Sequence, residues 1–482
     1  MVRPAWVLPD GEPAATTRLP GPGDARWSGT FERELTLAEA DRQIRADIAA
    51  QGWVWRHRSL DDTDPTAVQC ALWDAGGAEI PYGLGAGKGP GAPAHVGARF
   101  EAVEHAFTGP TALESLPVRL VEATALGEGP FAADRAVRDL ARQDGARVAC
   151  VRYEALDGGP GFDVPVYLWA PWYPPPTSKA TAVRRGLGDT ADYRSALAYS
   201  VNSGCAIGAT GDEALLHALN EWVERDAFAL FLLRSVYDRG PMPPQVNRTD
   251  LPPTLRSHLD RAEDLVGGPV TLLDLTTDLG VPTVMAYGHR PFGVEAGEGA
   301  GARTGSGAAA VKHRYGLGAS LWGGLAAERA ITEFVQDELL SRMVSEQVAS
   351  GDRSEPYAGL IADHDIDAHV RARLRDHPRL LACAMLDFSD RLPEAPRGPL
   401  PRETVPLGTP VPDQHAAVVE RITAAGHRVA AHRLQVLAHG TTVVQVQCPG
   451  LERFHLVTQG HVALPGARGR RSRAVGTERD AG

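Results

Sequence analysis

Thr210-Gly211-Asp212-Glu213-Ala214-Leu215-Leu216-His217-Ala218-Leu219-Asn220-Glu221-Trp222-Val223-Glu224-Arg225-Asp226 is the stretch on which the reading of this chain turns. Glu213, His217, Glu221 and Glu224 recur at i, i+4, i+8 and i+11, so a helix gathers them on a stripe roughly 80° wide. Leu215, Leu216, Leu219, Trp222 and Val223 fall largely outside that stripe and suit a core. Thr210, three residues before Glu213, has the form of a capping box and marks where the helix starts. Like charges on one helix face repel. A bound cation removes that cost, and a carboxylate stripe without cysteine favours a hard ion, Mg²⁺ rather than zinc.

Two further stretches have the same character. Gly97-Ala98-Arg99-Phe100-Glu101-Ala102-Val103-Glu104-His105 and Glu328-Arg329-Ala330-Ile331-Thr332-Glu333-Phe334-Val335-Gln336-Asp337 each place acidic groups about one turn apart on an apolar helix. Any one of the three helices is most simply a solvated amphipathic face. Three of them, each after a glycine-containing segment, point to a shared site.

Other candidates carry less. Gly83-Leu84-Gly85-Ala86-Gly87-Lys88-Gly89 lacks both the spacing of a Walker A loop and a Ser or Thr after the lysine. Its glycine spacing also fails the dinucleotide fingerprint, so taken alone it reads as a flexible turn. His217 has no second histidine at ligand spacing and reads as a surface or core-edge residue. Cys205 stands before the main helix, where a dipole could activate it, but packing is the simpler role. No Gly-x-Ser-x-Gly elbow is present. Arg225 and Arg329, each beside carboxylates, have the chemistry to hold a phosphate by bidentate bonds.

The chain has 482 residues and a net charge of −11, a balance that argues against nucleic acid as the main partner. Its five cysteines form no CxxC pair, which fits a reducing, cytoplasmic setting and argues against a disulfide framework or a structural zinc site. No apolar run is long enough to span a bilayer, and Met1-Val2-Arg3-Pro4 does not open a signal peptide.

The pattern predicts helix over Leu35 to Gln51 and strands over Ala67 to Trp73, Val148 to Tyr153, Val164 to Ala170, 269 to 276, 281 to 287 and Thr441 to Gln447. Residues 1 to 30 are expected to be disordered, Gly293 to Gly307 to form a mobile loop, and 466 to 482 to be a disordered basic tail. One catalytic unit is expected over 31 to 465. There is no short repeat, but the similar placement of carboxylate helices in the two halves hints at internal duplication.

Several ordered motifs resemble the YcaO family. Ser200-Val201-Asn202-Ser203-Gly204-Cys205-Ala206-Ile207-Gly208, running into the Glu213 to Asp226 helix, is similar to its signature. So is Gly316-Leu317-Gly318-Ala319-Ser320 before the Glu328 to Gln336 helix. Asp64-Pro65-Thr66, Gly87-Lys88-Gly89 and the Glu101/Glu104 helix precede them in the family's order, and Cys448-Pro449-Gly450-Leu451-Glu452 resembles its terminal segment. The likeness runs over about residues 33 to 465, and motifs in order over such a span are far more specific than any one alone.

The resemblance implies an α+β fold of YcaO type, with mixed sheets and carboxylate-bearing helices around a central ATP site. It implies ATP and Mg²⁺ as cofactors. Glu101, Glu104, Glu221, Glu224 and Glu333 match the carboxylates that hold Mg²⁺; Glu213 matches a nucleotide contact; Lys88 and Arg225 match phosphate contacts. Arg329 is assigned to the same nucleotide set. The chain departs from the family at Gly97, where a serine is usual, at Arg329, and at Ala209, where an asparagine is frequent.

The implied activity is ATP-dependent activation of a peptide backbone amide, with cyclodehydration of Cys, Ser or Thr to azolines in a ribosomally made peptide as the expected outcome. Thioamide or amidine formation by the same activation is the runner-up, and a non-catalytic paralogue that binds a peptide or partner is the third reading, which retention of the glutamates disfavours. No protein nucleophile is needed. The expected partners are a precursor peptide and a separate leader-binding protein, without nucleic acid or membrane and with a homodimer left open. The general base is unassigned.

Overall fold

The computed structural model describes residues 31–291, 313–350 and 366–479. The expectations for residues 1 to 30 and for Gly293 to Gly307 lie outside them. Three sheets make the frame. The first is the antiparallel β1 (Trp53–Ser59), β2 (Thr66–Asp74) and β3 (Glu79–Gly89). The second runs β4 (Arg119–Glu122), β5 (Arg147–Ala155), β13 (Ala430–Val436), β14 (Thr442–Gln447) and β7 (Cys205–Gly208), with β6 (Phe162–Pro165) on β5. The third runs β11 (His313–Ala319), β10 (Thr283–Pro291), β9 (Val270–Asp274), β8 (Gln245–Val246) and β12 (Arg397–Gly398); its β12–β8 pair is parallel and the other pairs are antiparallel.

The α-helices among the described residues are α1 (Leu37–Ala50), α2 (Gly91–Thr108), α3 (Arg135–Arg138), α4 (Ser178–Leu187), α5 (Gly211–Phe231), α6 (Pro253–Val266), α7 (Gly323–Ser350), α8 (Ile366–Leu374), α9 (Pro378–Met385), α10 (Val411–Ala424) and α11 (Ala467–Arg479). No helix among the described residues is long and apolar enough to cross a membrane.

The three carboxylate helices divide the sheets between them. α2 packs on β3 and β2, α5 on β7 and β14, and α7 on β11 and β10. Glycines make two of these seats unusually close. A Cβ on Gly87 would run into the Ala94 carbonyl of α2, and one on Gly85 into the Ala102 amide. On β11, Gly316 and Gly318 stand in the same relation to the Ala330 and Ala326 carbonyls of α7. The Gly83 to Gly89 segment is therefore part of a strand, not a turn. Its glycines admit a helix backbone, which is one of the two meanings glycine has inside a strand. Because side chains alternate along a strand, Lys88 points away from the face that Gly87 gives to α2.

Apolar burial follows the same plan. Trp222, Leu219 and Val223 of α5 are fully buried with Ala206, Val444 and Val446. Ala326, Ala330, Ile331 and Phe334 of α7 are fully buried with Val284 and Ala286. Burial at roughly 25 cal/mol per Å² is what seats these helices. Their opposite faces are left to polar residues.

Two expectations need correction. The strand placed at Val164 to Ala170 ends at Pro165, and a 3₁₀ turn follows over Val166–Leu168; proline offers no ladder N–H. The basic tail, expected to be disordered, is helical over Ala467–Arg479. Glu452, the acid of the Pro-Gly-Leu-Glu segment, accepts from the Gly466 amide at 2.9 Å and the Gly469 amide at 2.8 Å at the start of that helix. Arg468 then locks it to α5, its Nε donating to Asp226 at 2.8 and 2.9 Å.

Candidate functional site

Three helices with apolar backs on three sheets turn their acidic faces to one another. Glu104 of α2 is raised well above the usual carboxylate range by burial, and then by Glu101 and Glu221. Glu101 is raised by burial and by Glu333, against the pull of His105 and Lys88. Glu221 is raised by burial and Glu333, opposed by Arg225, the Gly204 amide and Lys88. Glu224 is pushed up to about 8 by burial, Glu333 and Glu221, with Arg225 and Lys88 opposing. Each of these groups feels carboxylates from another helix, so α2, α5 and α7 converge as the sequence pattern implied. Glu333, the residue on which a composite site depends, lies with the others rather than on a distant surface.

Cations stand among these acids. Lys88 Nζ reaches Glu333 Oε2 at 2.5 Å, bridging β3 and α7. Arg225 lies 3.6 Å from Glu221, and the Glu221 and Glu224 carboxylates hold its guanidinium charged despite its burial. Its Nε has no hydrogen-bond partner among the described residues. His217, exposed on one side, has its pKa lowered to about 3 by the protein packed around it and by Arg329, Arg33 and Lys88. It is a neutral imidazole on a cationic rim. Lys88 and Arg225 therefore stand among these carboxylates, Arg33 and Arg329 lie near His217 beside them, and Glu101 keeps 39% of its side chain exposed.

Two residues assigned to the nucleotide are already engaged. Glu213 is 2% exposed and accepts from the Glu34 amide at 2.6 Å and the Leu35 amide at 3.3 Å. Thr210 caps α5 through the Glu213 amide at 3.2 Å. Because the Glu213 side chain serves the distant chain instead of the Thr210 amide, the capping box is half formed. Arg329 donates to Glu32 at 2.5 Å and to the Ala319 carbonyl at 2.8 Å. Glu32, Asn220 and Ser320 were outside the sequence-based set. Their signal was weak: they are single polar residues, and Glu32 meets Asn220 and Ser320 only across 188 and 288 positions.

Cys205 is buried, and burial, Glu104 and Glu221 raise its thiol pKa well above normal, which suits packing and opposes nucleophilic chemistry. All five cysteines are buried.

The residues fit a metal–nucleotide complex. Five crowded carboxylates, four of them with pKa raised by burial and by neighbouring acids, offer oxygen ligands, while Lys88, Arg225 and Arg329 offer donors to phosphate. No three His, Cys, Asp or Glu side chains among the described residues are already arranged around one point. Mg²⁺ needs no such cage, since it takes one or two carboxylates together with substrate phosphates and water.

Such a set of acids and bases suits an enzyme that uses ATP and Mg²⁺. The family model for YcaO cyclodehydratase, ATP- and Mg²⁺-binding, matches residues 86–452, and the chain belongs to that family. The structure of YcaO from Methanopyrus kandleri bound with AMPPCP and Mg²⁺ is similar at a TM-score of 0.57 and 20% identity, over 91% of this chain and 97% of that one. A heterocyclase in complex with substrate and cofactor is similar at 0.56 and 18%, over 87% of this chain and 52% of that one. These likenesses carry the fold. An uncharacterized protein in the tfuA 3′ region of Rhizobium leguminosarum bv. trifolii is 37% identical over 92 residues, 18% of this chain and 20% of that protein. The match thus spans about a fifth of that relative's length.

Proposed function

We propose that this protein activates a backbone amide of a peptide at the expense of ATP, with Cys, Ser or Thr of the peptide as nucleophile and an azoline as product. A peptide side chain attacks the amide carbon; the resulting oxyanion takes the γ-phosphoryl group, giving ADP; the oxygen then leaves as phosphate. Phosphorylation turns a poor leaving group into a good one, and bound Mg²⁺ offsets charge on the triphosphate. In this reading Glu101, Glu104, Glu221, Glu224 and Glu333 hold the metal. Lys88, Arg225 and Arg329 hold phosphate oxygens, and Glu213 meets the nucleotide.

The observation that carries the reading is the convergence of these carboxylates from three helices beside Lys88 and Arg225. A lone structural salt bridge needs no such excess of acid. The buried, unactivated Cys205 agrees with chemistry in which the nucleophile comes from the substrate.

We further propose a separate leader-binding partner. A flexible precursor loses ordering entropy on binding, and a tethering protein offsets this by raising its effective concentration. The test is reconstitution with purified chain, ATP, Mg²⁺ and precursor, with and without proteins encoded nearby. Loss of about 18 Da per site, one water, supports cyclodehydration, whereas a gain of about 16 Da would replace it with thioamide formation. ATP consumption without any change in peptide mass would overturn the amide-activation reading.

A further inference from the structure

The segment Phe31 to Thr36, just before α1, packs against Arg329 and Glu213, two of the residues assigned to the nucleotide. The Phe31 carbonyl accepts from Gln414 Nε2 at 2.6 Å, and its ring packs on Trp322 at 5.4 Å between centroids. The Glu34 and Leu35 amides donate to Glu213. Between these anchors Glu32 turns inward and is 3% exposed. Its carboxylate accepts from Arg329 Nη2 at 2.5 Å, from Ser320 Oγ at 2.6 Å, and from Asn220 Nδ2 at 3.3 Å to each oxygen. One carboxylate thus gathers donors from α5, α7 and the turn that joins β11 to α7.

The place of this contact is what gives it meaning. Arg329 stands one helical turn before Glu333, which holds Lys88. Arg33 and Arg329 both act on His217, so the strap reaches the same rim. Glu32 therefore presents an anion to an arginine that a polyphosphate would also seek. Stacking another carboxylate near an acidic cleft is costly unless a cation answers it, and here Arg329 does.

We propose that Glu32 is an internal competitor for the nucleotide: it holds Arg329, Ser320 and Asn220 when the cleft lacks a polyphosphate, and yields Arg329 when one binds. The proposal rests on the reading of Arg329 and Glu213 as nucleotide contacts. Because both residues hold the strap, nucleotide binding and strap docking oppose each other. Linkage makes the opposition reciprocal: bound nucleotide weakens strap docking by the same factor by which the docked strap weakens nucleotide binding. Glu32 thereby sets the affinity of the site without touching the reacting atoms.

The experiment uses the full chain and a non-hydrolysable ATP analogue with Mg²⁺. Calorimetric titration of wild type and Glu32→Gln should show the variant binding about fivefold tighter or more, since the amide keeps the shape but loses the charge that competes. Hydrogen exchange on the wild type supplies a readout independent of any variant. Nucleotide should speed exchange of the Glu34 and Leu35 amides, which Glu213 otherwise protects. Equal or weaker binding by Glu32→Gln, or slower exchange at those amides with nucleotide, would make the strap a fixed wall of the site and overturn the competition. Failure of the wild type and the variant alike to bind the Mg²⁺ analogue would instead remove the nucleotide-site reading itself, and this inference with it.

Discussion

Replacing Glu224 by Gln should make the empty protein more stable and the loaded protein less so. The Glu224 carboxyl, ordinarily near 4.5, is held at about 8 by burial and by Glu333 and Glu221. Between those values the folded protein binds more protons than the unfolded chain, so stability falls as pH rises and levels off above the upper value. At pH 7 the full span from the ordinary value corresponds to about 3 kcal/mol. Water in the open cleft reduces this to about 1–2 kcal/mol. A glutamine cannot ionise and also relieves its neighbours, so that loss should vanish. Thermal melting is the assay, at about pH 5 and about pH 8.5, with and without Mg²⁺ and an ATP analogue. Without ligand at the higher pH the variant should melt a few degrees above wild type, by about 2–4 °C per kcal/mol or somewhat less in a chain of this size. At the lower pH the gap should close. With Mg²⁺ and nucleotide the order should reverse, because a ligand that binds only the native state stabilises it in proportion to affinity. A variant no more stable than wild type at high pH, or one that gains equally from Mg²⁺ and nucleotide, would refute the account of Glu224 as a strained carboxylate kept for a cation.

Further outcomes follow from the frame around the cleft. Arg468→Met should destabilise the fold by about 3–5 kcal/mol in chemical denaturation, since it strands Asp226, which is 0% exposed, without its cation; adding Asp226→Asn should recover part of that loss. Gly87→Ala should drive α2 off β3 and give poorly soluble or misassembled protein. Gly97→Ser, at a position where a Cβ would meet only the Gly87 Cα at 3.6 Å, should fold normally by circular dichroism and melt within about 1 kcal/mol of wild type.

The helices that carry the acids were legible because their signal is local. A 3.6-residue period separates Glu221 and Glu224 from Trp222 and Val223, and burial in the structure separates them in the same way. The strands over Thr66–Asp74, Arg147–Ala155, Val270–Asp274 and Thr442–Gln447 were visible for the same reason. What failed to show was long-range. Glycines in Gly83 to Gly89 have the composition of a turn, and only the approach of α2 reveals why they are there. The helix Ala467–Arg479 has little apolar pattern of its own and is held by polar contacts to Glu452, Asp226 and Asp278. Glu32 meets Arg329 across 297 positions in the chain, a pairing that no spacing rule reaches. α2 on β3 and α7 on β11 are seated alike, each against glycines of its strand, a relation that no local pattern in the sequence announces.

That seating bears on which ion the cleft accepts. Where a helix rests on a strand main chain to main chain, there is no layer of side chains to compress or swell. The spacing between acid-bearing backbones on α2 and α7 is then set by stiff contacts, and only the glutamate side chains can adjust. Mg²⁺ asks for oxygens at about 2.0–2.1 Å and Ca²⁺ for about 2.3–2.6 Å with more ligands. A yielding frame would widen for the larger ion. This one passes the difference to a few torsions, so under the proposed assignment of these glutamates to the metal, discrimination by ionic radius would come from glycines outside the ligand set.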